Sequence, residues 1–260
     1  MTFFQSAIMG FIQGITEFLP ISSSGHIDIL KESFGIDNRY LEFDIILHLA
    51  SLLAVFIYFR QDIRKQLIKE NFLSTKNLKF MRILIVAFLP VAISGPIFDY
   101  YFSDILSSYL VTIFGFLITG LILISVESLK FFSMGYNLGY RTSLVIGLIQ
   151  VIALIPGFSR SGLVISTAMF LGVDKNIAAR FSVFLGAITI LGSSLYLTLK
   201  SSAGISLTLD FRLLICGGFF AFFSSILSIE ILIRVVKNSK LWVFGIYCIG
   251  ISLVSLVFYF

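Results

Sequence analysis

Two otherwise apolar stretches carry polar and ionisable side chains where a membrane makes them expensive. Residues 3–30 hold Gln13, Glu17, Pro20, Ser22, Ser23, Ser24, Gly25 and His26, and residues 143–171 hold Gln150, Pro156, Gly157, Ser159, Arg160, Ser161 and Gly162. An ionisable group at membrane depth marks function by default, so Glu17, His26 and Arg160 need an account. Ser22-Ser23-Ser24-Gly25 follows Pro20 at what should be the start of a half-helix, where exposed N–H groups and flanking hydroxyls suit an anion. Ser159-Arg160-Ser161-Gly162 repeats the arrangement and adds a guanidinium, whose fork matches phosphate oxygens. Glu17 and His26 then supply a base, acid or nucleophile, and Glu17 or Gln13 an oxygen ligand for a divalent ion. The combination points to phosphoryl chemistry on an amphiphilic substrate.

Plainer roles compete with these. Ser24, Gly25 and Gly162 are residue types that let membrane helices pack closely. Glu17 and Arg160 would also make a structural ion pair joining the two stretches. His48 reads equally as a satisfied core histidine or as part of the site, and Gln13 and Gln150 serve as well to bond neighbouring broken backbone. For attack on phosphorus the expected nucleophile is Ser23. His26 lies three residues on, on the same face of any helix starting there, and would take the Ser23 proton while Glu17 orients His26 or holds a metal. His26 itself as nucleophile, or a water activated by Glu17 or a metal, are the alternatives.

The elements that must position these residues are membrane helices. Of the 260 residues 58% are hydrophobic and 13% charged, about half the charged share of a soluble domain. Leu41–Phe59, Ile83–Phe102, Tyr109–Val126, Phe181–Leu199, Leu213–Ile233 and Leu241–Phe260 are each long enough to cross a hydrocarbon core of ~30 Å, or nearly so. The expected fold is therefore an all-α integral membrane protein with six transmembrane helices in one domain, 1–260. Broken backbone survives at membrane depth only inside protein or beside water, so the two polar stretches are expected to be re-entrant helical hairpins, each broken near its Pro.

The hairpins resemble each other. Gly10-Phe-Ile-Gln13 aligns with Gly147-Leu-Ile-Gln150 and Ser24-Gly25 with Ser161-Gly162, at a constant offset of 137 residues (Gly10 to Gly147). Each hairpin precedes a span opening with Phe (Phe43, Phe181) and two further spans. Repeats of roughly 1–137 and 138–260 follow, and three spans per repeat force the second copy to be inverted. Charge agrees. Lys and Arg gather between Arg60 and Arg82 and at Lys130, Arg141, Lys175, Arg180, Arg234, Lys237 and Lys240. Only Lys31, Arg39, Lys200 and Arg212 fall on the other side, with Asp37 and Asp104 among its acidic residues. The positive-inside rule makes the basic side cytoplasmic and both termini periplasmic or exterior. Loop-end placement of the basic residues argues against nucleic acid as partner. Cys216 and Cys248 lie within apolar spans as small hydrophobes. The N-terminus lacks the basic start and small-residue cleavage site of a signal peptide.

Gln13-Gly-Ile-Thr-Glu17-Phe-Leu-Pro-Ile-Ser-Ser23-Ser-Gly-His26 resembles the first signature of the bacitracin-resistance undecaprenyl-diphosphate phosphatases, and Pro156-Gly-Phe-Ser159-Arg160-Ser161-Gly162 their second. Phe43-Asp-Ile-Ile-Leu-His48-Leu and Tyr58-Phe-Arg60 also fit, and the resemblance runs along essentially the whole chain. Gln13 departs from the commoner Glu, weakening a two-carboxylate metal site, and Val164 stands where the second signature ends in Thr. The resemblance implies an enzyme of the bacterial inner membrane that hydrolyses a polyprenyl diphosphate on the outer face, with Mg²⁺ or Ca²⁺. It implies an active-site set of Glu17, Ser23, His26, Ser159, Arg160 and Ser161, and leaves room for a homo-oligomer. The competing class is a transporter or flippase of a phosphorylated lipid with the same anion site; the Glu–Ser–His cluster separates them, because transport needs no nucleophile.

Overall fold

A computed structural model describes residues 1–36, 40–68, 75–102, 108–128, 138–200 and 209–259. Within these the chain is helical, with no strand. Helix α1 (Phe3–Phe18) and α2 (Ser23–Ser33) form the first broken hairpin. Then follow α3 (Leu41–Tyr58), a short α4 (Arg60–Ile68), α5 (Thr75–Tyr101) and α6 (Tyr109–Ser128). The second hairpin comprises α7 (Tyr140–Gln150), a 3-10 turn (Val151–Leu154) and α8 (Arg160–Phe170). The chain ends with α9 (Lys175–Lys200), α10 (Phe211–Lys237) and α11 (Leu241–Tyr259). Five of these, α3, α5, α6, α9 and α10, are long and apolar enough to cross a membrane, which makes the chain a multi-pass membrane protein. The sixth expected span corresponds to α11, whose 19 residues carry no charged side chain.

Both hairpins break where the sequence demands it. After α1 the backbone turns extended at Leu19, and after the 3-10 turn at Ile155, each just before its Pro. Gly157 then takes φ +85°, and a Cβ there would lie 2.1 Å from the Thr112 carbonyl oxygen, so only glycine lets the second turn nest against α6. The tips of the two hairpins meet. Ser161 Oγ donates to the Leu19 carbonyl at 2.9 Å, and a Cβ on Gly162 would touch Pro20.

Around these tips the long helices pack in reciprocal pairs: α1 lies along α10 and α7 along α5, while α3 also packs on α10 and α9 on α5. The contacts fix relative directions. Arg180 at the start of α9 reaches Asp62, just beyond the end of α3, and Leu241 at the start of α11 donates to Glu127 near the end of α6. One end of the bundle thus gathers Arg60, Arg64, Lys79, Arg82, Lys175, Arg180, Arg234, Lys237 and Lys240. Lys31, Lys200 and Arg212 lie at the other, where Lys31 pairs with Asp44. Arg39, Asp37, Asp104 and Lys130 fall outside the described residues.

Candidate active site

Each hairpin starts its second helix with a serine cap, 137 residues apart. Ser22 Oγ accepts from the Gly25 N–H at 3.4 Å, and Ser159 Oγ from the Gly162 N–H at 3.1 Å. Both caps turn the orphan N–H groups of a helix start toward the meeting point of the hairpins. The first helical residue is then Ser23 in one hairpin and Arg160 in the other, so equivalent positions carry a hydroxyl and a guanidinium. Ser22 is held at φ +66°, a conformation L residues rarely adopt.

Glu17, at the end of α1 and 6% exposed, ties these parts together. Its Oε1 accepts from Arg160 Nη2 at 2.7 Å, and its Oε2 accepts from Ser23 Oγ at 2.8 Å and Gln13 Nε2 at 2.7 Å. Arg160 Nη1 also donates to the Gly186 carbonyl at 2.9 Å. Gln13 Nε2 lies 3.0 Å from His48 Nδ1. The same His48 nitrogen lies 3.6 Å from Glu17 Oε2. His48 is thus partly exposed beside Gln13 and Glu17 and not enclosed in a core. Between the hairpins lies a cavity of about 150 Å³ whose walls include Glu17, Ser22, Ser23, Ser24, His48, Ser159, Arg160 and Ser161. Gly25 and Gly162 contribute as cap partners, and a Cβ on Gly25 would collide with the Phe116 ring, so its smallness also serves packing.

His26 departs from its expected partner. Its Nδ1 lies 2.7 Å from the Ser22 carbonyl and its Nε2 2.8 Å from the Tyr247 hydroxyl, and it is not among the residues lining the cavity. A carbonyl only accepts, so Nδ1 carries the proton and Nε2 accepts from Tyr247. The ring stacks on Tyr247 (centroids 5.7 Å apart, planes 6° from parallel) and meets Phe116 edge-on. Ser23 gives its hydrogen bond to Glu17 instead. Spacing sets Ser23 and His26 on one face, but a carbonyl one turn back and a tyrosine 221 residues on outcompete that pairing. Tyr247 was missed in the sequence; its one signal was a phenol inside an unbroken apolar span, where a hydroxyl needs a partner.

A hydroxyl hydrogen-bonded to a carboxylate, opposite a guanidinium and among serine-capped helix starts, is equipped to bind a phosphate and attack it. Residues 6–254 match the family described as bacitracin resistance protein BacA. Relatives named undecaprenyl-diphosphatase include one from Christiangramia forsetii, 35% identical over 99% of this chain and 98% of its own. One from Halothermothrix orenii is 35% identical over 98% of both chains, and one from Borrelia recurrentis 34% identical over 97% and 96%. With the match spanning nearly every residue, both hairpins included, the chain belongs to the bacitracin resistance protein BacA family.

Proposed function

We propose that this chain hydrolyses undecaprenyl diphosphate to undecaprenyl phosphate and inorganic phosphate, recycling the lipid carrier for cell-wall synthesis and conferring bacitracin resistance. The observation that carries the mechanism is the 2.8 Å hydrogen bond from Ser23 Oγ to Glu17 Oε2, beside Arg160 on the wall of one cavity. A transporter needs no such activated hydroxyl, and the pair therefore favours hydrolysis over lipid movement. On binding, Arg160 turns its fork from Glu17 to the oxygens of the terminal phosphate, leaving the carboxylate free to take the Ser23 proton. As the Oγ–P bond forms, the bond from phosphorus to the bridging oxygen breaks and its electron pair leaves with undecaprenyl phosphate. Water then displaces Ser23 from the phosphoserine, returning the hydroxyl and releasing inorganic phosphate. His26 acts by position: it ties down the Ser22 carbonyl, and with it the strained residue that sets Ser23 on its helix start.

The donor set suits a divalent cation shared with substrate rather than caged by protein. Among the described residues no three His, Cys, Asp or Glu side chains gather around one point, and Gln13 turns an N–H donor to Glu17. Glu17 would hold Mg²⁺ or Ca²⁺ together with diphosphate oxygens, where the ion would neutralise charge on the departing phosphate.

The same reading includes six spans, two re-entrant hairpins and inverted repeats of about 1–137 and 138–260, in a bacterial inner membrane with the basic end cytoplasmic. Both termini and the approach to the site then face outward. Two pairs of equivalent contacts support the repeat. A Cβ on Gly10 would lie 2.1 Å from the Gly217 oxygen of α10, and one on equivalent Gly147 2.4 Å from the Ala87 oxygen of α5. Setting Phe43 on Phe181 sets Tyr58 on Tyr196. Tyr58 donates to Glu230 of α10 at 2.5 Å and Tyr196 to Asp99 of α5 at 2.7 Å, at opposite ends of the bundle.

Purified protein should release phosphate from a polyprenyl diphosphate, more slowly once divalent cations are chelated. Arg160→Lys should lose about 100-fold or more in kcat, since a point charge cannot replace the fork. Substrate labelled on its terminal phosphate should leave acid-stable phosphoserine on the wild type and none on Ser23→Ala. Near-normal turnover by Arg160→Lys, or acid-labile label persisting in Ser23→Ala, rejects these assignments.

A further inference from the structure

Two grooves open along equivalent helix seams at opposite ends of the bundle. The groove between α5 and α9, about 300 Å³, is walled by Phe88, Val91, Pro96 and Leu197 and ends at Asp99 and Tyr196. Its charge is cancelled, because Asp99 takes both Lys200 and the Tyr196 hydroxyl. The groove at the basic end, about 430 Å³, lies where α3, α9 and α10 meet. Ile57, Phe59, Ile226 and Ile233 wall it, and Arg60 and Arg180 stand at its rim with a single carboxylate, Asp62.

The rim charge does not cancel. Arg180 Nη2 pairs with Asp62 at 3.1 Å, while Arg60 Nη1 donates to the neutral Ile57 carbonyl at 2.9 Å and forms no ion pair among the described residues. Glu230 offers no further compensation, since it accepts from Tyr58 and pairs with Arg234 at 3.1 Å. Arg180 is also held against the apolar wall, 5.8 Å from the centroid of the Phe59 ring. The result is an apolar slot beside lipid that ends in two arginines and one carboxylate, at the end where basic residues concentrate.

We propose that this groove binds an anionic phospholipid, its acyl chain along Ile57, Ile226 and Ile233 and its phosphate between Arg60 and Arg180. The orientation comes from the proposed function, with the basic end in the cytoplasmic leaflet, where anionic lipids reside and basic pockets between helices hold their headgroups. The contrast between the two grooves supports this occupant: equivalent helices build both, and excess positive charge marks only the one in the leaflet that supplies the anion.

The test is lipid retention. Protein reconstituted in phosphatidylcholine, or in phosphatidylcholine with phosphatidylglycerol, is released into mild detergent and weighed with its bound lipid by native mass spectrometry. Wild type should keep phosphatidylglycerol over phosphatidylcholine. Arg60→Gln, which leaves the Arg180–Asp62 pair intact, should lose that preference about tenfold, Arg60→Lys should keep most of it, and Lys200→Gln at the opposite groove should keep all of it. Phosphate release in pure phosphatidylcholine should stay at wild-type level in Arg60→Gln, which separates failure of this site from failure of the phosphatase reading. Equal phosphatidylglycerol retention by wild type and Arg60→Gln overturns the proposal. Displacement of phosphatidylglycerol by undecaprenyl phosphate at equal concentration also overturns it, in favour of a second carrier-lipid site.

Discussion

At the scale of single residues, Glu17 does the most, accepting hydrogen bonds from Ser23, Gln13 and Arg160 at once. The sequence made Glu17, Ser23 and Arg160 legible because ionisable and hydroxyl groups inside apolar stretches are costly unless used. It did not reveal how they pair, because a spacing of three says which residues share a face and nothing about competing acceptors. His26 shows this, turning to Ser22 and Tyr247 rather than to Ser23. If His26 acts by position, Tyr247→Phe should lower kcat about fivefold with KM little changed, the equivalent of one lost hydrogen bond of ~1 kcal/mol. In a His26→Ala background the same change should do almost nothing further, since the partner is gone. The shape of the pH–rate profile should be the same in His26→Asn and wild type. Disappearance of one limb would show that His26 carries the transferred proton.

At the scale of elements, the hairpin breaks were readable from Pro20 and Pro156, and Gly10 and Gly147 suggested the proposed repeat. The packing partners of those glycines were not, because sequence shows that a residue is small but not whose backbone it approaches. In the fold, α1 and α7 press against α10 and α5 closely enough that a single methyl meets a carbonyl oxygen. Gly10→Ala should therefore destabilise the detergent-solubilised protein by ~1–3 kcal/mol, as overpacking does. Gly95→Ala is the control: nothing lies within 4 Å of a Cβ there, and the helix should gain slightly from the exchange. Thermal unfolding of both variants checks the pair, and equal midpoints would mean that α1 does not hold this seam.

At the scale of the molecule, hydropathy predicts the membrane helices and charge predicts a polarity, while the reciprocal pairing of helices is not legible in either. The tyrosine clasps at the two ends illustrate why: each joins a phenol to a carboxylate far along the chain, and either partner alone looks like a stray polar residue. Single cysteines at Ser33 and Asn238, both exposed, test the polarity in a background lacking half-buried Cys216 and buried Cys248. An impermeant thiol reagent should label position 33 from outside intact cells and position 238 only after permeabilisation; external labelling at 238 would invert the orientation. The long reach between the halves also bears on biosynthesis. Glu17 leaves the ribosome 143 residues before Arg160, roughly 7–30 s earlier at ordinary elongation rates. The α10 surface that receives Gly10 emerges later still. The first segment synthesised is thus among the last to dock, and the insertion machinery must shelter a carboxylate without its counter-ion until the second half of the chain arrives.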